Sequence, residues 1–178
     1  MQKVNNLKSA GLFISIALIF IFCVSTSSAQ EKIKIAGKIT NTVTEDYQIK
    51  VGDVEDHTFT INKSEGTNIS SGENSFMDSA AVVNHNFSDL IKGNGMHEGY
   101  VILSKEGDTV IAKWKGKVTT TISSENTPII TFEGTYNYTR GKGHFENIQG
   151  SGTYKGKYTS EKTYTAEWEG EYFTKATK

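Results

Sequence analysis

Histidine and acidic side chains are the residues best able to do acid–base or metal chemistry, and in this chain they are dispersed. The four histidines are His57, His85, His97 and His144. No two of them have the spacing that is typical of metal ligands. Asp53, Asp56 and His57 form one local cluster that could bind a cation or relay a proton. A turn whose side chains cap their own backbone explains the same residues and is the favoured interpretation.

No motif of a common enzyme class accompanies these residues. The chain contains no nucleophile elbow, phosphate-binding loop or dinucleotide fingerprint. We therefore assign no catalytic residue, no cofactor site and no metal site. Three tripeptides match the N-glycosylation pattern, which matters only if the host glycosylates exported proteins. They are Asn68-Ile69-Ser70, Asn86-Phe87-Ser88 and Asn137-Tyr138-Thr139.

Aromatic residues are the other candidates, because rings can line a pocket for an apolar ligand. An aromatic residue, a charged residue and a glycine recur four times, in Trp114-Lys115-Gly116, Phe132-Glu133-Gly134, Tyr154-Lys155-Gly156 and Trp168-Glu169-Gly170. Each copy lies in a run that alternates polar and apolar residues, the pattern of a strand with one buried face. The rings proposed to line a ligand cavity are Tyr100, Trp114, Phe132, Tyr136, Tyr138, Tyr154 and Trp168.

Glycine recurs on the same face as these rings. A closed barrel mixes small and large side chains inside because its bore is narrow. On the other face the charges of the four units alternate in sign, as Lys115, Glu133, Lys155 and Glu169. They would either pair across neighbouring antiparallel strands or form an ordinary solvated face, and the sequence leaves both readings open.

Strands must position these residues, because helical periodicity is nearly absent. Strands are predicted at residues 31–44, 47–51, 57–61, 76–86, 98–104 and 109–121. Pro128 begins a further strand with the alternating run at 130–139, and similar runs follow at 154–158 and 164–172. Turns or loops are predicted at 44–46, 52–56, 63–73 and 88–95. Short strands joined by turns indicate an all-β sandwich or barrel. The interior glycines and the length favour an antiparallel closed β-barrel of about eight strands.

Residues 1–29 are predicted to be a cleaved signal peptide, followed by a single barrel domain at 30–178. Lys3 and Lys8 precede an apolar segment at 11–24, and Ser27-Ser28-Ala29 offers small residues for cleavage. An uncleaved anchor is disfavoured by the short apolar segment, and a lipid on Cys23 by the bulky residues before it. The expected location is therefore secreted or periplasmic, with no membrane span after cleavage.

The composition of residues 30–178 limits the classes of partner that the domain is expected to bind. Removing Lys3 and Lys8 leaves 17 basic against 20 acidic side chains, with Arg140 as the single arginine. No basic patch is present, so nucleic acid is not an expected partner. Cys23 is the only cysteine, so the domain is expected to have no disulfide. The sequence does not indicate an oligomeric state.

Gly141-Lys142-Gly143-His144-Phe145, followed by Gly150, resembles the glycine-x-glycine-x-phenylalanine stretch of allene oxide cyclases and plant dirigent proteins. Val51-Gly52-Asp53-Val54 and Lys92-Gly93-Asn94-Gly95 resemble glycine-containing turns of the cyclases. The resemblance covers most of residues 47–173 and implies a calycin-type barrel of eight antiparallel strands. The cyclase activity is not implied. The early strand at 32–35 lacks the family's glutamate, the glycine-aspartate turn lacks its proline, and residues 30–178 lack its cysteine.

The segment carrying this resemblance is also predicted to close one end of the barrel. Gly141 and Gly143 suggest backbone with positive φ. Phe145 and Ile148 are three residues apart, as in one helical turn. We expect residues 144–148 to fold over one barrel end with these two side chains as a plug, and Gly150 to restart the strand. A ligand would then enter from the opposite end.

Three functions stay open at this level. The domain could bind a small apolar or aromatic ligand, act as a cyclase- or dirigent-like enzyme or chirality guide, or serve as a structural or interaction barrel with a filled core. The volume and lining of the barrel interior discriminate among them. An open cavity with convergent polar groups favours the first two, and a bore filled by side chains favours the third.

Overall fold

A computed structural model describes residues 31–175, so the predicted signal peptide lies outside the described residues. The strands are β1 (Ile33–Lys50), β2 (His57–Ser71), β3 (Ala81–Ile91), β4 (Asn94–Lys105), β5 (Asp108–Ile122), β6 (Pro128–Lys142), β7 (Ile148–Tyr158) and β8 (Thr163–Thr174), with one 3-10 helix at Gly143–Phe145. No α-helix occurs within this part of the chain.

The strands form one closed barrel in chain order, and each pairs antiparallel with the next. β1 and β8 close the barrel through the pairs from Ile33–Tyr172 to Thr42–Thr163. The predicted all-β closed antiparallel barrel of eight strands is therefore confirmed. We call the end with the 72–80 loop and the 3-10 helix the base, and the end with loops 51–56, 92–93, 123–127 and 159–162 the mouth.

The glycines of the repeated unit make room for rings inside the barrel. Gly116 and Gly134 are paired across β5 and β6. A methyl group added at either glycine would lie 2.6 or 2.5 Å from the Tyr154 hydroxyl. The glycine of one unit therefore makes room for the ring of another, as Gly156 also does for Phe132. Both tryptophans, Trp114 and Trp168, are buried.

The charges of the unit pair across strands in part. Lys117 Nζ lies 3.1 Å from Glu133 Oε1, and Lys155 Nζ lies 3.9 Å from Glu167 Oε2. Of the four charges of the unit, the register places Glu133 opposite Lys155, whereas Lys115 lies opposite Thr135 and Glu169 opposite Thr153. These exposed pairs contribute roughly 0–1 kcal/mol each.

Several element boundaries differ from the sequence prediction. Residues 63–71, predicted as a loop, are the second half of β2, and 88–91 belong to β3. The predicted turn at 44–46 is a bulge in a continuous β1, where the register shifts between Val43 and Glu45. Residues 76–80 precede β3 and belong to a loop. The prediction failed here because the inward positions of β2 and β3 are polar, so the expected alternation is missing.

Phe76, from the 72–80 loop, closes the base of the barrel. It is 2% exposed, and its ring centroid lies 5.0 to 5.9 Å from four other rings. These rings belong to Tyr138, Phe145, Trp168 and Tyr172. Asn68 Nδ2 holds the loop by donating to the carbonyl oxygens of Phe76 at 3.1 Å and Met77 at 2.9 Å.

The residue at the centre of the plug is therefore Phe76, and the prediction that residues 144–148 form the plug is corrected. Phe145 is half-buried and packs 5.2 Å from Phe76, while Ile148 is buried as the first residue of β7. The helical turn occupies Gly143–Phe145 and does not extend to Ile148. Gly143 has φ +70° and Gly150 has φ +144°, whereas Gly141 is not in the positive-φ region. Gly141 is instead needed for space, since a methyl there would collide with the Phe145 carbonyl.

Candidate ligand-binding cavity

The mouth half of the barrel encloses an open cavity of about 800 Å³. Phe76 and Trp168 are among the residues at its floor, and residues 44–46, 127–128 and 159–162 surround its opening. The base half is packed with side chains around Phe76. The interior is thus filled at one end and open at the other.

Strands β5 to β8 give the cavity an aromatic wall. Trp114 and Tyr154 pack edge to face at 5.8 Å, and Phe132 and Tyr164 do so at 5.5 Å. The rings on this wall are Trp114, Phe132, Tyr136, Tyr138, Tyr154, Tyr158, Tyr164 and Trp168. Burial raises the pKa of Tyr158 to about 12, so this phenol is neutral at physiological pH.

Six of the seven rings proposed from the sequence line the cavity. They are Trp114, Phe132, Tyr136, Tyr138, Tyr154 and Trp168. Tyr100 is a correction: it lies on the outer face of β4, is 45% exposed, and has Lys113 Nζ 5.7 Å above its ring. His97, Gly99 and Val101 occupy the inward positions of that strand, so the intervening Tyr100 must point outward.

Strands β2 and β3 give the cavity a second wall of uncharged polar side chains. These side chains face each other in three cross-strand pairs: Thr60 with Ser88, Asn62 with Asn86, and Ser64 with Asn84. This wall was not predicted from the sequence, because inward positions of a strand are normally apolar. The available signal was an inverted alternation, in which Phe59, Ile61 and Phe87 occupy the outward positions.

Tyr164 organises the inner part of the polar wall. Trp114 Nε1 donates to Asn84 Oδ1 at 2.8 Å, and Asn84 Nδ2 donates to the Tyr164 hydroxyl oxygen at 2.9 Å. Asn41 Nδ2 also donates to this oxygen at 3.2 Å. Because the oxygen accepts two hydrogen bonds, the phenolic proton is free to be donated to Ser64 Oγ at 2.8 Å. Burial raises the pKa of Tyr164 despite these bonds.

The outer part of the polar wall has unused hydrogen-bonding capacity. Within residues 31–175, the side chains of Thr60, Asn62, Asn86 and Ser88 make no hydrogen bond to protein. Thr60 and Ser88 are buried, and Asn86 Oδ1 is a buried acceptor without a partner. Because Thr60, Asn62 and Ser88 face the open cavity, their side chains can hydrogen bond to a ligand or to water inside it.

His97 is a buried titratable group inside the cavity, and its pKa lies well below its ordinary value. It is 8% exposed, and burial lowers its pKa to about 4. Its Nε2 lies 3.0 Å from the Tyr154 hydroxyl, and its ring lies 4.8 Å from that of Trp114. The imidazole is therefore neutral at physiological pH and offers one donor or one acceptor at its second nitrogen.

Charged side chains are confined to the rim among the described residues that line the cavity. These are Glu45, Asp46, Glu161 and Lys162. Below the rim the lining consists of apolar, aromatic, amide, hydroxyl and neutral imidazole groups. A charged ligand would lose its hydration here without meeting an opposite charge.

The Asp53–His57 cluster lies outside the cavity. His57 Nδ1 is 2.5 Å from Asp53 Oδ1, and His57 Nε2 is 2.6 Å from Asp89 Oδ1, which the sequence had not associated with it. The hydrogen bonds to Asp89 and Asp53 raise the pKa of His57. This arrangement ties the 51–56 turn to β3. Among residues 31–175, no three histidine, cysteine, aspartate or glutamate side chains are grouped to hold a metal ion.

The asparagines of the three glycosylation patterns differ in their exposure to solvent. Asn68 is fully buried and Asn86 faces the cavity, whereas Asn137 is exposed on the outer face of β6. Only Asn137 of these three is therefore accessible to a modifying enzyme in the folded domain.

Comparison with known proteins gives no family for this chain. No protein-family model matches it, and no curated protein matches it significantly. Within residues 31–175, no helix is long and apolar enough to cross a membrane.

Proposed function

We propose that this domain binds a small uncharged ligand of aromatic or apolar character in the mouth-side cavity. The observation that carries the proposal is a cavity of about 800 Å³, open at one end, with rings on one wall and unused hydrogen-bonding groups on the opposite wall. Ligand sites in proteins are commonly concave pockets of roughly 300–1,000 Å³ with these two kinds of lining.

A barrel with a filled core accounts for only half of the interior. The rings around Phe76 fill the base, but the cavity extends from there to the mouth. A structural barrel gains stability when its bore is packed with apolar side chains. Asn62, Asn86 and Ser88 do the opposite, since they place polar groups without protein partners along the bore.

The lining also selects the charge of the ligand. An ion entering this cavity would lose its hydrating water and meet only rings and neutral amides, so it should bind more weakly than a neutral ligand. A tenfold loss of affinity corresponds to about 1.4 kcal/mol of binding free energy. A neutral ligand would keep the rings as a packing surface and could hydrogen bond to the polar wall. His97 would contribute as a neutral group because of its low pKa.

Two fluorescent compounds with the same ring system test the proposal. N-phenyl-1-naphthylamine is neutral, and 8-anilinonaphthalene-1-sulfonate adds a charged sulfonate. We expect saturable fluorescence enhancement with the neutral compound and at least about tenfold weaker binding of the sulfonate. Absence of saturable binding by the neutral amine would contradict the proposed function. Equal affinity for both compounds would contradict the selection against charge.

A matched pair of variants places the bound compound. Val118→Trp fills part of the cavity from β5, while Thr119→Trp adds the same ring on the outer face of the same strand. We expect Val118→Trp to weaken binding of N-phenyl-1-naphthylamine at least about tenfold. Thr119→Trp should bind as the wild type does. Equal loss in both variants, or no loss in Val118→Trp, would place the compound elsewhere.

Membership of an allene oxide cyclase-like barrel family is proposed on two supports. One is the Gly141–Phe145 motif, and the other is the eight-stranded closed barrel. We propose also that the protein is exported after removal of residues 1–29. Neither proposal requires cyclase chemistry, since the residues of that activity are not found at the corresponding positions.

A further inference from the structure

β1 extends beyond the closed part of the barrel with one edge unpaired. It pairs with β8 only as far as Thr42, but with β2 as far as Lys50. Val43 N donates to Lys162 O at 2.8 Å, and no later residue of β1 bonds through its backbone on that side within the described chain. Residues 44–50 therefore present a free strand edge beside the mouth.

The backbone groups on this free edge can be assigned from the ladder. Val51 N donates to His57 O at 3.1 Å, so the backbone of Val51 faces β2. In an antiparallel ladder alternate residues face the same neighbour, which places Ile49 and Tyr47 toward β2 as well. The N–H and C=O groups of Asp46, Gln48 and Lys50 consequently face outward from the free edge.

The side chains on this edge are unusual for an unprotected strand. Tyr47 and Ile49 are 67% and 60% exposed on the outer face. Asp46 and Lys50 lie on the opposite face, and neither forms an ion pair within residues 31–175. Exposed strand edges with apolar side chains are surfaces on which another strand can pair.

The edge is complementary to itself. If two copies align antiparallel about a two-fold axis at Gln48, each outward-facing backbone group meets an outward-facing group of the other copy. Asp46 then lies opposite Lys50 of the partner subunit, and Tyr47 lies opposite Ile49 of the partner subunit. Moving the register by two residues in either direction separates Asp46 from Lys50, so the charges select the centred register.

We propose that two copies of this chain associate through the free edge at residues 44–50 and form a continuous antiparallel sheet across a two-fold axis. The self-complementary order of Asp46, Tyr47, Ile49 and Lys50 identifies a second copy as the occupant. An isologous contact of this kind closes on itself, which limits the assembly to a dimer. The contact lies at the mouth, where residues 44–46 surround the cavity opening, and its test does not require a ligand.

Charge reversal tests the proposed register in the exported protein. Sedimentation velocity should show a reversible dimer for the wild type. Asp46→Lys places lysines opposite each other at two positions, and we expect it to raise the dimer dissociation constant at least about tenfold. The double variant Asp46→Lys with Lys50→Asp should restore dimerisation. Glu98→Lys, on the outer face of β4, makes the same charge change away from the edge and should dimerise normally.

Gln48→Pro tests the backbone contact separately. The N–H of Gln48 faces away from β2, so proline removes a donor from the free edge and none from the barrel. We expect a folded monomer, with folding checked by circular dichroism. A wild type that is monomeric at millimolar concentration would overturn the proposal. So would unchanged dimerisation of Asp46→Lys, or failure of the double variant to restore it.

Discussion

His97 shows how one buried residue can make this barrel sensitive to acid. An exposed imidazole has a pKa of 6.5, and burial among the rings of Trp114 and Phe132 lowers the pKa of His97 to about 4. The unfolded chain therefore binds a proton on this residue between these two pH values, while the folded chain does not. Folding stability contributed by neutral His97 is present above pH 6.5 and is lost as the pH falls toward 4.

The pH dependence gives a direct test. We expect the free energy of unfolding of the wild type to fall by about 3 kcal/mol more than that of His97→Gln between pH 7 and pH 4. Urea unfolding at several pH values would measure the difference. Parallel pH curves for the two proteins would show that His97 is not buried in its neutral form.

His57 contributes with the opposite sign. Its pKa is raised by Asp89 and Asp53, so its stabilising effect is complete below the unfolded pKa of 6.5 and is lost as the pH rises through the folded value. Lowering the pH from 8 to 6 strengthens this contact, whereas lowering it from 6 to 4 exposes the cost of buried His97. Replacing His97 and His57 separately by glutamine would distinguish the two effects, because the residues lie at different places in the fold.

The 72–80 loop closes the base of the barrel, a role that the sequence predicted for residues 144–148. Phe76 sits at the centre of the base, and Phe145 covers it from outside. Asn68, Ser70 and Lys105 bind backbone or side-chain groups of the loop. The loop is therefore a fixed closure of the base, and entry to the interior is from the mouth.

This difference predicts two unequal alanine effects. Phe76→Ala should destabilise the barrel by about 3–5 kcal/mol, because the ring is fully buried and its removal leaves a cavity. Phe145→Ala should cost less, about 1–2 kcal/mol, because this ring is only half-buried. Urea unfolding of both variants measures the order. A larger loss of stability in Phe145→Ala than in Phe76→Ala would instead support the plug that the sequence predicted at residues 144–148.

At the scale of the whole molecule, the barrel divides its interior into a packed base and an open mouth. The base supplies the aromatic packing that holds the fold without any disulfide, as Cys23 is the only cysteine and lies outside the described residues. The mouth half instead contains the cavity and the polar wall of β2 and β3.

The proposed export predicts where the mature chain begins. Intact-mass measurement of the exported protein should give an N-terminus at or near Gln30, because Ser27-Ser28-Ala29 supplies small residues for the signal peptidase. A product that retains Met1, or that carries a lipid on Cys23, would contradict it.

The class of fold and most of the aromatic wall can be predicted from the sequence alone. The alternation in residues 110–172 is local, since neighbouring positions on a strand point to opposite faces whatever the strand pairs with. Glycine beside a ring on the same face is likewise a local sign of a narrow closed interior. Six of the proposed cavity rings lie on that wall for this reason.

The polar wall, the closure of the base and the free edge could be identified only from the folded structure. The sequence placed Asn62 between a predicted strand and a predicted loop, Asn86 at the end of a predicted strand and Ser88 in a predicted loop. None of the three was assigned to the interior, because single-strand patterns assume that inward positions are apolar. Phe76 became the closing residue through Asn68, whose amide reaches the 72–80 loop from β2. Each of these features depends on which strands become neighbours when the barrel closes, and spacing along the chain does not carry that information.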